Sequence, residues 1–173
     1  ELDNYQLTES GQSPRSVSGK TVVKSSSYEH DEYGVTTEDP QEVKDMNDKR
    51  LRKAERIEEE ARNFQMYKVH GNEDSDTVIL GWGSTKGAIL DAIKDLDVKF
   101  IQILYLRPFP TEIKEQLEAA EDVLLVENNS TGLLGNLVAE KTGFLISDED
   151  KILRYDGRPF ESDKLREEIE RRL

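Results

Sequence analysis

From Thr77 onward, apolar runs of strand length alternate with segments whose apolar residues recur at helical spacing. A chain written this way is confined to a parallel sheet covered by helices, because each strand reads as apolar on both faces and each crossover carries one apolar stripe. Thr77–Trp82, Phe100–Leu106, Asp122–Val126 and the weaker Ile152–Tyr155 are the predicted strands. Between and after them, Ala88, Ile89, Ala92, Ile93 and Leu96 form one helical face, and Ile113, Leu117 and Ala120 a second. Leu133, Leu134, Leu137 and Val138 form a third, stopping at Thr142-Gly143, and Leu165, Ile169 and Leu173 a fourth. Right-handed crossovers then give an α/β domain over 77–173, three-layered and doubly wound, with a mostly parallel sheet.

Upstream the pattern is different. Residues 1–38 are rich in Ser, Thr, Gly and acid, with short apolar runs such as Thr21-Val22-Val23, and cannot bury enough to fold alone. They read as an extended arm or linker. Asp39-Pro40 is a helix start, a capping residue followed by Pro at the first helical position. Val43, Met46, Ala54, Ile57, Ala61 and Phe64 then draw a narrow apolar stripe on a long linker helix within 39–70. Its other faces carry Lys49-Arg50, Arg52-Lys53 and Glu58-Glu59-Glu60. His70 is expected in the loop that Gly71 and Asn72–Asp76 continue.

The formal net charge of −13 argues against nucleic acid and anionic membranes as partners. It is open to two other readings, plain solubility or a basic protein partner. With no cysteine, the chain offers no disulfide, no cysteine-held iron–sulfur cluster and no thiol nucleophile, which fits a cytoplasmic protein. The start at Glu1 without an initiator Met suggests processing, or a piece of something longer.

Loops at the carboxyl ends of parallel strands gather at one edge, where such sheets bind ligands or partners. In the first, Gly81–Gly87, a phosphate could rest on Gly81, Gly83, Ser84, Thr85 and Lys86, since glycines admit close approach and Lys86 adds charge. The spacing matches neither phosphate-loop nor dinucleotide fingerprint, so a tight turn with Ser84 as helix cap is the competing reading. The second loop pairs Arg107 with Phe109 between two prolines, suiting either protein docking or a stiff turn. The third, Glu127-Asn128-Asn129-Ser130-Thr131-Gly132, offers Thr131 as a helix cap, with Gly132 and Gly135 leaving the first turn bare. Glu29, His30, Asp31 and Glu32, followed by Gly34, form the densest ionisable cluster. Successive side chains on an extended segment diverge, so an interface is a better reading there than a metal site. No catalytic set is legible.

Several stretches, in order, resemble the C-terminal part of the alpha subunit of 2-oxoacid:ferredoxin oxidoreductases. They are Tyr5–Arg15, Ser27–Pro40, Lys49–Lys53, Gly81–Gly87, Arg107-Pro108-Phe109-Pro110, Glu127–Gly132 and Tyr155–Phe160. The resemblance implies a parent complex that oxidatively decarboxylates a 2-oxoacid to an acyl-CoA and CO2 and reduces ferredoxin. That complex uses thiamine diphosphate, Mg, iron–sulfur clusters and coenzyme A as co-substrate. It also implies a transketolase C-terminal-like domain, an arm leading out of a thiamine-binding pyrimidine domain, and a beta subunit as partner. The family's Tyr-Pro-Ile-Thr-Pro-Ser-Thr segment and thiamine-activating glutamate are absent here, so no catalytic residue carries over. Gln12 also departs from the Gly-Ile-Ser-Pro-Arg pattern of relatives. The expected role is structural and docking, through Glu29, His30, Asp31, Glu32, Gly34, Arg107, Phe109, Glu127, Asn128 and Thr131. The alternatives are a free-standing module binding a phosphate-bearing ligand at Gly81–Gly87, and an acidic scaffold.

Overall fold

A computed structural model describes residues 4–17, 19–20 and 24–173; the apolar run Thr21-Val22-Val23 lies outside them. The chain divides into two compact units, Glu1–Asn63 and Phe64–Leu173.

The first unit is an arm and one helix. Helix α1 spans Pro40–Ala61, and Asp39 caps it by accepting hydrogen bonds from the amides of Gln41 and Glu42. The helix thus starts where the Asp-Pro pair predicts and ends within the expected span, with Arg62 as its C-cap. Lys49, placed by periodicity on a solvated face, is 6% exposed. Its ammonium donates to the carbonyl oxygen of Tyr5 at 2.8 Å, and the guanidinium of Arg52 donates to that of Thr8 at 3.2 Å. The arm crosses α1 at Gly11, where any Cβ would lie 2.6 Å from both the Lys49 oxygen and the Lys53 nitrogen; φ is +74° there, so glycine is required twice over.

The second unit is the expected three-layer α/β domain. Its strands are β1 (Tyr67–Gly71), β2 (Thr77–Trp82), β3 (Lys99–Ile103), β4 (Asp122–Glu127) and β5 (Lys151–Leu153). They lie in the order β1-β3-β2-β4-β5, with β2 to β5 parallel and β1 antiparallel on the edge beside β3. The antiparallel β1 corrects the sequence reading, which put His70 in a loop. His70 instead lies on β1, its Nε2 3.0 Å from Gln102 Oε1 and its ring stacked on Phe100.

The helices are α2 (Lys86–Ala92), α3 (Ile113–Ala119), α4 (Leu133–Thr142) and α5 (Ser162–Glu170). Strand pleating sorts the core into two layers. Val78, Leu80, Ile101, Ile103 and Leu125 face Ile113, Leu117, Leu134 and Val138 of α3 and α4. Ile79, Phe100, Leu124 and Val126 face Ile89, Ala92, Leu165 and Ile169 of α2 and α5. Helix α4 ends at Gly143, whose φ of +78° makes it the left-handed cap that Thr142-Gly143 predicts. No helix among the described residues is long and apolar enough to cross a membrane.

Candidate functional site

Strand β2 leads to one face of the sheet and its neighbour β4 to the other, so the crevice between their carboxyl ends is the topological switch point, the usual ligand position in this architecture. Here two of the chain's own side chains meet across it. The indole of Trp82, last residue of β2, donates to Glu127 Oε1 at 3.0 Å. Glu127, last residue of β4, is 1% exposed and also accepts from the Leu134 amide at 2.9 Å through Oε2. Asn129 Oδ1 accepts from the amides of Thr131, Gly132 and Leu133. The positive end of α4 is therefore satisfied by a carboxylate and an amide oxygen from the chain itself.

Two sequence expectations are corrected at this point. Thr131 is not the cap; Gly132 takes the N-cap position in a left-handed conformation, with φ +63°, and Asn129 supplies the oxygen. Glu127 is not on a docking surface either, because its partners Trp82 and Leu134 enclose it. Gly135 does allow a close approach, but to the domain's own core: a Cβ there would sit 2.9 Å from Leu125 Cδ2.

The Gly81–Gly87 loop is a tight 3-10 turn over Gly83–Thr85 running into α2. Gly81 is buried where a Cβ would lie 2.7 Å from Ile89 Cδ1, and Gly83 has φ +60°. Thr85 Oγ1 turns back to the Trp82 carbonyl at 2.7 Å, whereas Ser84 is exposed and makes no capping bond. The two glycines thus serve packing and turn geometry, and Lys86 is half-buried at the start of α2.

In the second loop the Arg107–Pro108 peptide is cis. Phe109 is 7% exposed and belongs to the α3/α4 layer of the core, which corrects its reading as a docking anchor. Arg107 is exposed. Two clefts open at this edge. One, of about 360 Å3, is mostly apolar, lined by Trp82, Leu106, Leu133 and Leu137, with Glu127 and Glu140 also at its wall. The other, of about 560 Å3, is polar and brings Ser84, Asn128, Ser130 and Arg158 together.

In the first unit, the Glu29–Gly34 cluster is a turn rather than a set of converging ligands. Asp31 Oδ1 accepts from the amides of Tyr33 and Val35, and Gly34, with φ +75°, lets the chain reverse before the His30–Thr36 bridge. The side chains diverge, each to a separate task. Glu29 forms a two-bond pair with Arg50 at 2.7 and 2.6 Å, and these hydrogen bonds draw its carboxyl down to about 2. His30 is buried with its ring 4.0 Å from that of Tyr5, and Glu32 accepts from the Leu7 amide at 2.7 Å. Three of the four thus tie the arm to itself and to α1. No group of three or more metal-ligating side chains gathers among the described residues.

No family model matches the chain. Curated relatives do. The chain is 35% identical over 175 aligned residues, 98% of its length, to the "2-oxoacid:ferredoxin oxidoreductase subunit alpha" of Saccharolobus solfataricus, covering 27% of that protein. It is 36% identical over 91% of its length to subunit alpha of the second such enzyme of Aeropyrum pernix, covering 25% of it. Over nearly its whole length the chain is similar to part of the alpha subunits of 2-oxoacid:ferredoxin oxidoreductases. It spans about a quarter of the length of the curated relatives it matches. Among solved structures, the 2-oxoglutarate:ferredoxin oxidoreductase from Magnetococcus marinus, with 2-oxoglutarate, coenzyme A and succinyl-CoA bound, aligns with 99% of this chain and 30% of its own. The TM-score is 0.67 at 24% identity, a likeness of fold.

The strand-end edge has a clear composition. Three segments that resemble the family line the same polar cleft: Ser84 from the first loop, Asn128 and Ser130 from the third, Arg158 from the loop after β5. Asn128 joins two of them by donating to the carbonyls of Arg154 and Arg158, both at 3.4 Å. The sequence reading missed Trp82 and Asn129 as organisers of this edge. The available signal was a carboxylate ending an apolar strand, followed by Asn at the distance that suits a helix cap.

Proposed function

We propose that this chain is the C-terminal structural and docking domain of the alpha subunit of a thiamine-dependent 2-oxoacid:ferredoxin oxidoreductase. The parent complex oxidatively decarboxylates a 2-oxoacid, releases CO2 and an acyl-CoA, and passes electrons through iron–sulfur clusters to ferredoxin. The observation that carries this reading is the relation of 98% of the chain to named alpha subunits at 35% identity. The strand-end edge supports the docking half of it, because Trp82 and Glu127 there are hydrogen-bonded to each other across the switch point. What this edge leaves for a neighbour is the exposed Arg107, the polar cleft with Asn128, and the mostly apolar one with Leu133. In this reading thiamine diphosphate, Mg and the clusters are held by the thiamine-binding domain of the same subunit and by the beta subunit. The arm carries the chain out of the former.

The test is reconstitution. The purified chain should show no 2-oxoacid-dependent reduction of ferredoxin. Activity should appear only when the thiamine-binding domain and the beta subunit are co-expressed with it. Turnover by the chain alone would refute the docking role. Failure of the chain to co-purify with either component would refute the family complex as its setting.

A further inference from the structure

The chain carries a net charge of −13, yet its first unit holds a cleft of about 480 Å3, between the arm and α1, with no carboxylate in its lining among the described residues. Arg15, Lys49, Arg50 and Lys53 line it, with His30 at its wall. These cations differ in how they are compensated. Arg50 is neutralised by Glu29. Lys49 is buried with its ammonium on a neutral carbonyl, and burial, reinforced by Arg50, Lys53 and Arg52, pushes its pKa down, with only Glu32 opposing. Arg15 and Lys53 are exposed and have no ion-pair or hydrogen-bonding partner among the described residues. Among the described residues, three positive charges thus face one concavity with only Glu32 opposing Lys49, in a chain with acid to spare elsewhere.

We propose that this cleft binds a phosphate-bearing small molecule, whose phosphoryl oxygens are held by Arg15 and Lys53 with the Lys49 ammonium behind them. A phosphate group near neutral pH carries roughly −1.5 to −2, which matches this surplus better than the single charge of a carboxylate. The guanidinium fork of Arg15 fits phosphate geometry, and Lys53 supplies a point charge on a flexible stem. The cleft volume lies in the usual range for small-molecule sites, about 300–1,000 Å3. This site is separate from the Gly81–Gly87 loop and does not depend on the activity of any parent complex.

The experiment is a titration of the full chain with pyrophosphate at constant ionic strength, followed by thermal unfolding and by amide chemical shifts. Saturable stabilisation is expected, with shifts concentrated at Ser13–Ser16 and Lys49–Lys53. Arg15→Ala and Lys53→Ala, both at exposed positions, should each weaken binding about tenfold while leaving the circular dichroism unchanged. Lys86→Ala should leave it intact. No saturable effect would overturn the proposal. So would an equal response to succinate at matched ionic strength, full affinity in both variants, or loss of binding on Lys86→Ala. Because the readout is binding by the chain itself, a negative result is distinct from a failure to reconstitute oxidoreductase activity.

Discussion

The two units solve the same problem, keeping a chain ordered, with opposite means. In Phe64–Leu173, apolar side chains on both faces of one sheet are sealed by two pairs of helices. In Glu1–Asn63, Met46 and a few partly buried side chains aside, the arm is held on α1 by charged groups reaching main-chain oxygens and by one bidentate ion pair. An apolar layer gains from every residue added to it and holds no titrating or ion-paired group of its own. A set of polar contacts gains about 0.5–1.5 kcal/mol net from each ordinary hydrogen bond and is sensitive to salt and pH. Order in the second unit should therefore be cooperative and deep, and order in the first shallow and tunable.

The largest effect should come from breaking a layer. Leu80→Ala removes a side chain with no exposure at the centre of the sheet, and is expected to cost about 2–5 kcal/mol in chemical denaturation. A loss below 1 kcal/mol would mean that the layer is not close-packed. Next is the buried polar contact at the end of β4. Glu127→Ala leaves the Trp82 indole N–H and the Leu134 amide without their acceptor, at a cost of about 1–3 kcal/mol. Trp82 is the chain's single tryptophan, so its fluorescence should change with the substitution even under native conditions. An unchanged spectrum would argue against the contact.

The smallest effect belongs to the first unit. Glu29 has a carboxyl lowered from 4.5 to about 2 in the folded chain, so its pairing with Arg50 stabilises fully above the unfolded value near 4.5. That stabilisation is lost as pH falls toward and through about 2. Because both partners are partly exposed, the loss on Arg50→Ala should stay below about 1 kcal/mol. A carboxyl titration by NMR should show Glu29 returning toward 4.5 in that variant. If it titrates near 2 regardless, another group holds it.

The same contrast explains what the sequence disclosed. The buried strands were legible because β2 and β4 are nearly unbroken apolar runs, and helix faces such as Ile89 with Ala92 repeat at the right step. Strand β1 was not, because an edge strand carrying Lys68 and His70 has no such run, and no Gly or Pro marks where α1 stops. Phe109 was misplaced because a Pro-flanked aromatic reads alike whether its ring points into the core or away from it. Glu127 was misread for a different reason. Its partner Trp82 lies 45 residues away in the chain, so nothing local shows that the carboxylate has a reason to be inside. Lys49 and Arg52 were hidden the same way, their acceptors lying 44 residues upstream.

The way the arm is held on α1 has a consequence for how this region can change over time. Lys49, Arg52 and Glu32 engage the main-chain groups of Tyr5, Thr8 and Leu7, which every amino acid other than proline supplies alike. Substitutions at an exposed position such as Leu7 therefore leave the grip untouched, and related chains are free to drift there. Inserting or deleting a single residue between Tyr5 and Gly11 is another matter. It puts these main-chain groups out of register with Gly11, and moves a side chain into the place where only glycine clears the helix.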